Sequence, residues 1–302
     1  MHSLIGLNRV LLCDAETCSH GVRVIDAHQH FWRYRPPGPA WMGDGMDGLR
    51  RNFLIEDLVA VAAEVGVTGA ILVECERTIE ETSWLSAIAH SSDFTCGVVG
   101  WLPLTSPQIV SEIERVACLP KVKGVRHPIH DESDDQFVLR DDFNRGVSAL
   151  ERFGLRFDLL VFERHLPQTI QFVDRHPNQV FVLDHIAKPR IQDRVLSPWK
   201  ENLTELARRQ NVYCKLSGLV TEANWHTWSS EDLRPYVEVV FDAFTPKRVM
   251  FGSDWPLVTL ASSYTLWAET ARGWIAQLSV TEREWIEARA AQQAYGFNPR
   301  QT

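Results

Sequence analysis

Eight times from residue 22 onward, a short apolar run rich in β-branched residues is followed by a longer segment whose apolar residues recur at three and four. The runs cover residues 22–27, 69–74, 96–102, 123–127, 156–161, 180–185, 212–217 and 248–253. A run of this kind, bounded by turn residues, reads as a strand covered on both faces, and the intervening helices are what cover it in a parallel sheet. The spacing predicts helices over 55–65, 80–90, 107–118, 142–153, 166–175, 198–209, 230–244 and 264–277. Eight such units predict an α/β protein, a (β/α)8 or TIM barrel, for which ~250 residues suffice. The 302 residues therefore read as one barrel domain over 23–302, preceded by an extension, 1–22, that is either flexible or a short cap. Thr281 and Glu284 have the Thr-x-x-Glu spacing of a capping box, which predicts an extra C-terminal helix to Tyr295 lying beneath or beside the barrel.

Composition narrows the function more than the fold. A net charge of −8, with no basic tract, gives no footprint for nucleic acid or an anionic membrane surface. No stretch approaches the ~20 apolar residues that span a bilayer. The six cysteines form no Cys-x-x-Cys pair, and Asn8 and Arg9 interrupt the one leader-like run, which together predict reduced thiols in a cytoplasmic protein.

In a barrel of this type the chemistry gathers at the carboxyl ends of the strands. Asp26-Ala27-His28-Gln29-His30 closes the first run, and residues two apart on a strand share a face, so His28 and His30 present two imidazoles to one point. Two such imidazoles bind a divalent metal or donate hydrogen bonds to a carbonyl oxygen. His185 ends the sixth run and is expected to face the same mouth, with Asp184 turned into the helix layer; Lys188 reads as a loop cation or a solvated side chain. Asp254, in Gly-Ser-Asp-Trp-Pro after the eighth run, is the expected base for water.

Arg126 and His127 end the fourth run, and alternation lets only one of them face the barrel axis. Glu74 and Glu76 after the second run, and Lys215 in the seventh, are candidate polar lining; Trp32 and Trp255 are candidate stacking surfaces for a sugar-like ring. The long segment 31–51, with Trp32, Tyr34, Trp41, three prolines and four glycines, is expected to overhang the site.

Taken in order, Ile25-Asp26-Ala27-His28-Gln29-His30-Phe31-Trp32, Gly124-Val125-Arg126-His127-Pro128, Leu183-Asp184-His185, Tyr213-Cys214-Lys215-Leu216-Ser217-Gly218 and Phe251-Gly252-Ser253-Asp254-Trp255-Pro256 resemble the lactonase branch of the amidohydrolase superfamily. That branch holds sugar lactonases of the L-fuconolactonase and L-rhamnonolactonase kind and, more distantly, pyrone dicarboxylate lactonase. The resemblance implies a distorted barrel, hydrolysis of a cyclic ester of the L-fucono-lactone class, catalytic Asp254 and His185, and a substrate-binding Arg126. It implies either one divalent metal, zinc by preference, on His28, His30, His185 and Asp254, or a site that dispenses with the ion. The expected partner is a small-molecule lactone, and self-association is left open. Two further readings stand beside it: a metal-dependent decarboxylase of the same superfamily, and a non-catalytic barrel that binds sugar acids.

Overall fold

The computed structural model describes residues 24–39 and 41–297, so the expected extension lies outside the described residues. Eight parallel strands follow one another around the sheet in chain order. They are β1 (Val24–Gln29), β2 (Val67–Val73), β3 (Thr95–Gly100), β4 (Val122–Pro128), β5 (Arg156–Leu160), β6 (Phe181–Leu183), β7 (Val212–Leu216) and β8 (Val249–Phe251). The cylinder closes just past the strand ends, where the Asp254 amide donates to the His28 carbonyl at 2.8 Å and the His30 amide to the Trp255 carbonyl at 2.7 Å. β6 and β8 are the shortest strands, with three residues each.

Helices fill the outer layer: α1 (Ile55–Glu64), α2 (Ile79–His90), α3 (Ile109–Ala117), α4 (Asp141–Leu150), α5 (Leu166–Asp174), α6 (Trp199–Leu206), the single turn α7 (Leu219–Glu222), α8 (Ser230–Phe244) and α9 (Tyr264–Ile275). Their spacing explains their packing. On α3, for example, Ile109, Ile113 and Val116 form the buried stripe that a 3.6-residue period produces. Each fully buried aliphatic or Phe side chain contributes about 1.5–3 kcal/mol.

A second apolar cluster lies inside the barrel, where Ile25, Ile71, Val99, Val182 and Met250 meet Ala290, Ala291, Ala294 and Tyr295. Those last four belong to the extra C-terminal helix, in which α10 (Val280–Glu284) runs through a π turn into α11 (Ala290–Tyr295). Small alanines let the helix approach the strand ends and plug the cylinder. The capping box that starts it is Ser279 with Glu282, whose carboxylate accepts from the Ser279 amide at 2.9 Å. The expected Thr281 pair is displaced because the same spacing occurs two residues earlier, and Thr281 is already helical.

Candidate active site

β1 delivers two imidazoles to one point through an irregularity in its pairing. Asp26 pairs with Ala70 and Gln29 with Leu72, so three steps on β1 oppose two on β2. Ile25 and Ala27 thereby face the barrel interior near its floor, while His28 and His30 face it at the mouth. Their Nε2 atoms stand 3.1 Å apart. His30 Nδ1 lies 2.9 Å from the Val73 carbonyl, which can only accept, so Nδ1 carries the hydrogen and Nε2 keeps its lone pair. His28 Nδ1 lies between Asp184 Oδ1 and the Lys215 ammonium, each at 3.2 Å, and its Nε2 faces Arg126 Nη1, which can only donate, at 3.4 Å, so a lone pair fits at Nε2.

The Asp184 expectation is corrected by the backbone, and His185 reaches the mouth by a route that strand alternation does not supply. β6 ends at Leu183, and His185, Ile186, Ala187 and Lys188 take positive φ of 52°, 49°, 62° and 46°. Strand alternation continues only to Asp184, so Asp184 faces the interior and not the helix layer. The left-handed turn then swings His185 inward as well. Its Nδ1 lies 2.9 Å from Ser217 Oγ. The ring fits only because residue 218 is glycine, where an added Cβ would sit 2.5 Å from Nδ1.

Asp254 follows β8 at φ 60°, a conformation short polar side chains tolerate. Its Oδ1 lies 3.4 Å from His30 Nε2, 3.7 Å from His28 Nε2 and 3.8 Å from His185 Nε2. That oxygen is buried and makes no hydrogen bond among the described residues. Burial opposes its charge, but the His185 and His30 imidazoles outweigh burial and hold the carboxyl below its usual range. Burial pushes His28 and His185 well below the ordinary imidazole value, so both are neutral at neutral pH.

Three donors, His28 Nε2, His30 Nε2 and Asp254 Oδ1, therefore lie 3.1 to 3.7 Å from one another, and His185 Nε2 stands 3.8 Å from the Asp254 oxygen. Bonds of about 2.0–2.1 Å from a tetrahedral ion to nitrogen and oxygen donors require donor separations of about 3.4 Å. His28, His30 and Asp254 also meet the distance requirement for a shared ion as a set. The site fits one divalent metal. A second ion beside His28, Asp184 and His185 would compete with the Lys215 ammonium, which already pairs with Asp184 Oδ1 at 2.9 Å.

Above these donors opens a cavity of about 910 Å³, lined by His30, Glu74, Arg126, His185, Lys188 and Asp254 at its polar floor. The first loop overhangs it as expected, with Trp32, Tyr34, Pro39 and Trp41 in its wall. Trp41 is tied across the mouth, its Nε1 donating to the Cys75 carbonyl at 3.1 Å. Arg126 faces inward. Its Nε donates to Glu74 Oε1 at 2.8 Å, Nη2 to the Glu74 carbonyl at 2.6 Å and Nη1 to Asp184 Oδ2 at 3.1 Å. A fourth N–H, the second on Nη1, faces His28 Nε2 at 3.4 Å, so one of the five remains for a ligand.

Three expected contacts lie elsewhere. His127 points away from the axis, stacks on Phe137 and meets Glu132 at 2.7 Å, because the strand position that faces inward belongs to Arg126. Lys215 is fully buried below the histidines, 2.6 Å from Asp158 and 2.9 Å from Asp184, and does not reach the cavity. Trp255 packs edge-on against Phe31 and Phe53 and is likewise absent from the cavity wall. Ser217 and Asp158 were not singled out from sequence. Ser217 bears on the site through His185, and the only cue was its place as the last residue of the seventh apolar run.

The amidohydrolase family model matches residues 25–297. The chain belongs to the amidohydrolase family. This amidohydrolase is 39% identical over 290 residues to an L-fucono-1,5-lactonase of Burkholderia multivorans, an alignment covering 92% of this chain and 97% of that one. It is 37% identical over 240 residues to an L-fucono-1,5-lactonase of Burkholderia ambifaria, covering 80% of this chain and 82% of that one. A crystal structure of an amidohydrolase from Burkholderia multivorans with bound zinc superposes with a TM-score of 0.87 at 39% identity, covering 91% of this amidohydrolase and 100% of that chain. Among the described residues, no helix is long and apolar enough to cross a membrane.

Proposed function

We propose that the protein hydrolyses a sugar-acid lactone, L-fucono-1,5-lactone or a close relative, to the open-chain acid. The observation that carries this reading is the buried Asp254 Oδ1, without a hydrogen bond among the described residues, facing three imidazole Nε2 atoms at the floor of a cavity with ample room for a monosaccharide. The lactonase relatives support the same class.

The Asp254 carboxylate, kept ionised by its neighbours, accepts a proton from water as that water attacks the lactone carbonyl. A divalent ion, zinc in this proposal, would be held by His28, His30, His185 and Asp254, where it polarises the carbonyl and acidifies water. Asp184 and Ser217 fix the ring orientations of His28 and His185 from behind. Arg126, itself held by Glu74 and Asp184, offers its one remaining N–H to a ring hydroxyl, and the Trp32 and Trp41 edges exclude water from above. Site groups built to hydrogen-bond hydroxyls discriminate strongly, because an analogue lacking the hydroxyl leaves a buried donor unpaired.

The test is a pH-indicator screen of a stereochemically complete set of aldonolactones, run beside elemental analysis of the purified protein. Opening of the L-fucono-lactone class, lost with the metal on chelation and restored by zinc, is the expected result. Unchanged turnover by metal-free protein would remove the ion from the proposal. No opening of any aldonolactone, with carbon dioxide released from an aromatic acid, would replace the lactonase with the decarboxylase.

A further inference from the structure

Opening a lactone leaves one proton unaccounted for. The ring oxygen departs as an alkoxide, a strong base, and needs an acid close at hand. The imidazoles at the floor turn their Nε2 atoms toward Asp254 Oδ1, and His30 keeps its hydrogen behind, on Nδ1 against the Val73 carbonyl. Arg33, Arg35, Arg77 and Arg126 line the cavity, but a guanidinium does not give up a proton. His130 lines it too. Burial holds its imidazole low, its Nε2 faces Asp131 at 3.1 Å, and its Nδ1 is an unpartnered acceptor.

Lys188 differs from all of these. It ends the left-handed turn of four non-glycine residues that also carries His185, so one strained turn sends both side chains into the same cavity. Left-handed backbone costs roughly 1–2 kcal/mol per L-residue, and it persists only where the surroundings over-determine it. Here they do: Trp199 Nε1 donates to the Ile186 carbonyl at 2.8 Å, and the Lys188 amide to the His185 carbonyl at 2.8 Å. The Lys188 ammonium donates to Glu222 Oε1 at 2.7 Å, and Glu222 sits on α7 in the loop after β7. Its own carbonyl accepts from the Gln192 amide at 3.0 Å, which ties the two loops together. Burial works against the ammonium, but the Glu222 and Asp254 charges outweigh it and keep the group protonated.

We propose that Lys188 is the acid that protonates the departing ring oxygen, with Glu222 as the positioning residue that aims it. The assignment rests on the lactonase reading above. In the first step water adds to the carbonyl carbon and gives one proton to Asp254. In the second the bond from that carbon to the ring oxygen breaks, its electron pair stays on the oxygen, and the oxygen takes a proton from Lys188 Nζ. The new carboxylic acid ionises, and the neutral amine recovers its proton from Asp254 or solvent, so protons balance over the cycle.

The experiment uses the full chain with its metal content measured, the variant Lys188→Met, and Lys188→Arg as a companion that keeps the charge but cannot donate. Turnover of the best aldonolactone is followed in water enriched in the heavy oxygen isotope. Expected is a fall in kcat of about 10²-fold or more in both variants, with KM of the Arg variant near that of the parent. Lactone recovered part-way should carry the heavy isotope in its carbonyl, because an intermediate that cannot expel the ring oxygen reverts. Glu222→Gln should give a smaller loss with the same label. If Lys188→Met fails to fold, Lys188→Arg answers alone. A kcat within about threefold of the parent, or a loss with no label in recovered lactone, overturns the assignment and leaves Asp254 to carry the proton both ways. A parent protein that opens no lactone overturns the underlying reading instead.

Discussion

At the carboxyl ends of the strands the barrel gathers His28, His30, Asp184, His185 and Asp254, all nearly or wholly buried; at the other end it presents Ile25, Ile71, Val182 and Met250 to the alanines of α11. The same cylinder is thus charged and under-bonded at one end and dry and close-packed at the other. Between them runs a polar column in which Tyr295 Oη donates to Asp158 Oδ2 at 2.7 Å, Lys215 pairs with Asp158 at 2.6 Å and with Asp184 at 2.9 Å, and Asp184 meets His28. The difference teaches where stability and chemistry are separable. Removing a group from the mouth should cost turnover and little stability, removing one from the floor or from the foot of the column at Tyr295 should do the reverse, and only the part of the column that touches Asp184 should cost both.

The largest effect belongs to the mouth. Asp254→Asn keeps shape and removes the charge, and lactone turnover should fall by about 10³-fold, within the range of a lost general base. Because Asp254 Oδ1 is buried without a hydrogen bond, the metal-free variant should melt no lower than the metal-free parent, and a rise is expected. Calorimetry beside kinetics checks both. A variant that loses activity by unfolding would dissolve the separation between the two ends.

Next comes the column. Lys215→Met leaves the Asp158 and Asp184 carboxylates buried without their shared cation, and losing one member of such a network costs about 3–5 kcal/mol. Burial already raises the Asp158 carboxyl to about 6, above its ordinary 3.8. A raised folded value means the protonated form favours folding, so the deficit of Lys215→Met should shrink as pH falls through 6 and below. Denaturant midpoints across that range measure it, and a deficit independent of pH would show that lost packing dominates. A smaller cost is expected at the floor, where Tyr295→Phe removes one hydrogen bond to Asp158 and should lower stability by about 1 kcal/mol with kcat unchanged. A change in kcat there would show that the column transmits to the histidines.

The two ends also differ in how far the sequence exposes them. Eight apolar runs and their helices are local patterns, so the barrel and its closing helix are legible almost to the residue, as α8 at Ser230–Phe244 shows. His28 and His30 share a face because of a two-residue period that survives an irregular β1. The expectation for Asp184 fails because its orientation depends on where β6 stops, and the left-handed turn that brings His185 in beside it is fixed by Trp199 and Ser217 from other loops. The choice between Arg126 and His127 rests likewise on Glu74 and Asp184, distant in the chain. Lys215 and Trp255 have site-like positions along the chain, yet depth inside a cylinder is a property of the closed barrel and no periodicity encodes it.

The smallest effect is a change that ordinary histidines would produce and these should not. The reaction needs the Nε2 lone pairs of His28 and His185 and the charge on Asp254. Burial holds both imidazoles well below their ordinary 6.5, against the pull of Asp184 on His28 and Asp254 on His185, and the imidazoles hold the Asp254 carboxyl below its ordinary 3.8. A lowered value means the deprotonated form persists as acid is added. The kcat for lactone opening should therefore stay level as pH falls through 6.5 and decline only well below it, whereas one essential imidazole titrating normally would halve the rate at that point. A pH-stat with spontaneous ring opening subtracted gives the profile. A half-rate point near 6.5 would mean that water reaches the imidazoles freely, and the contrast between a desolvated mouth and an open one would then have to be redrawn in favour of the open one.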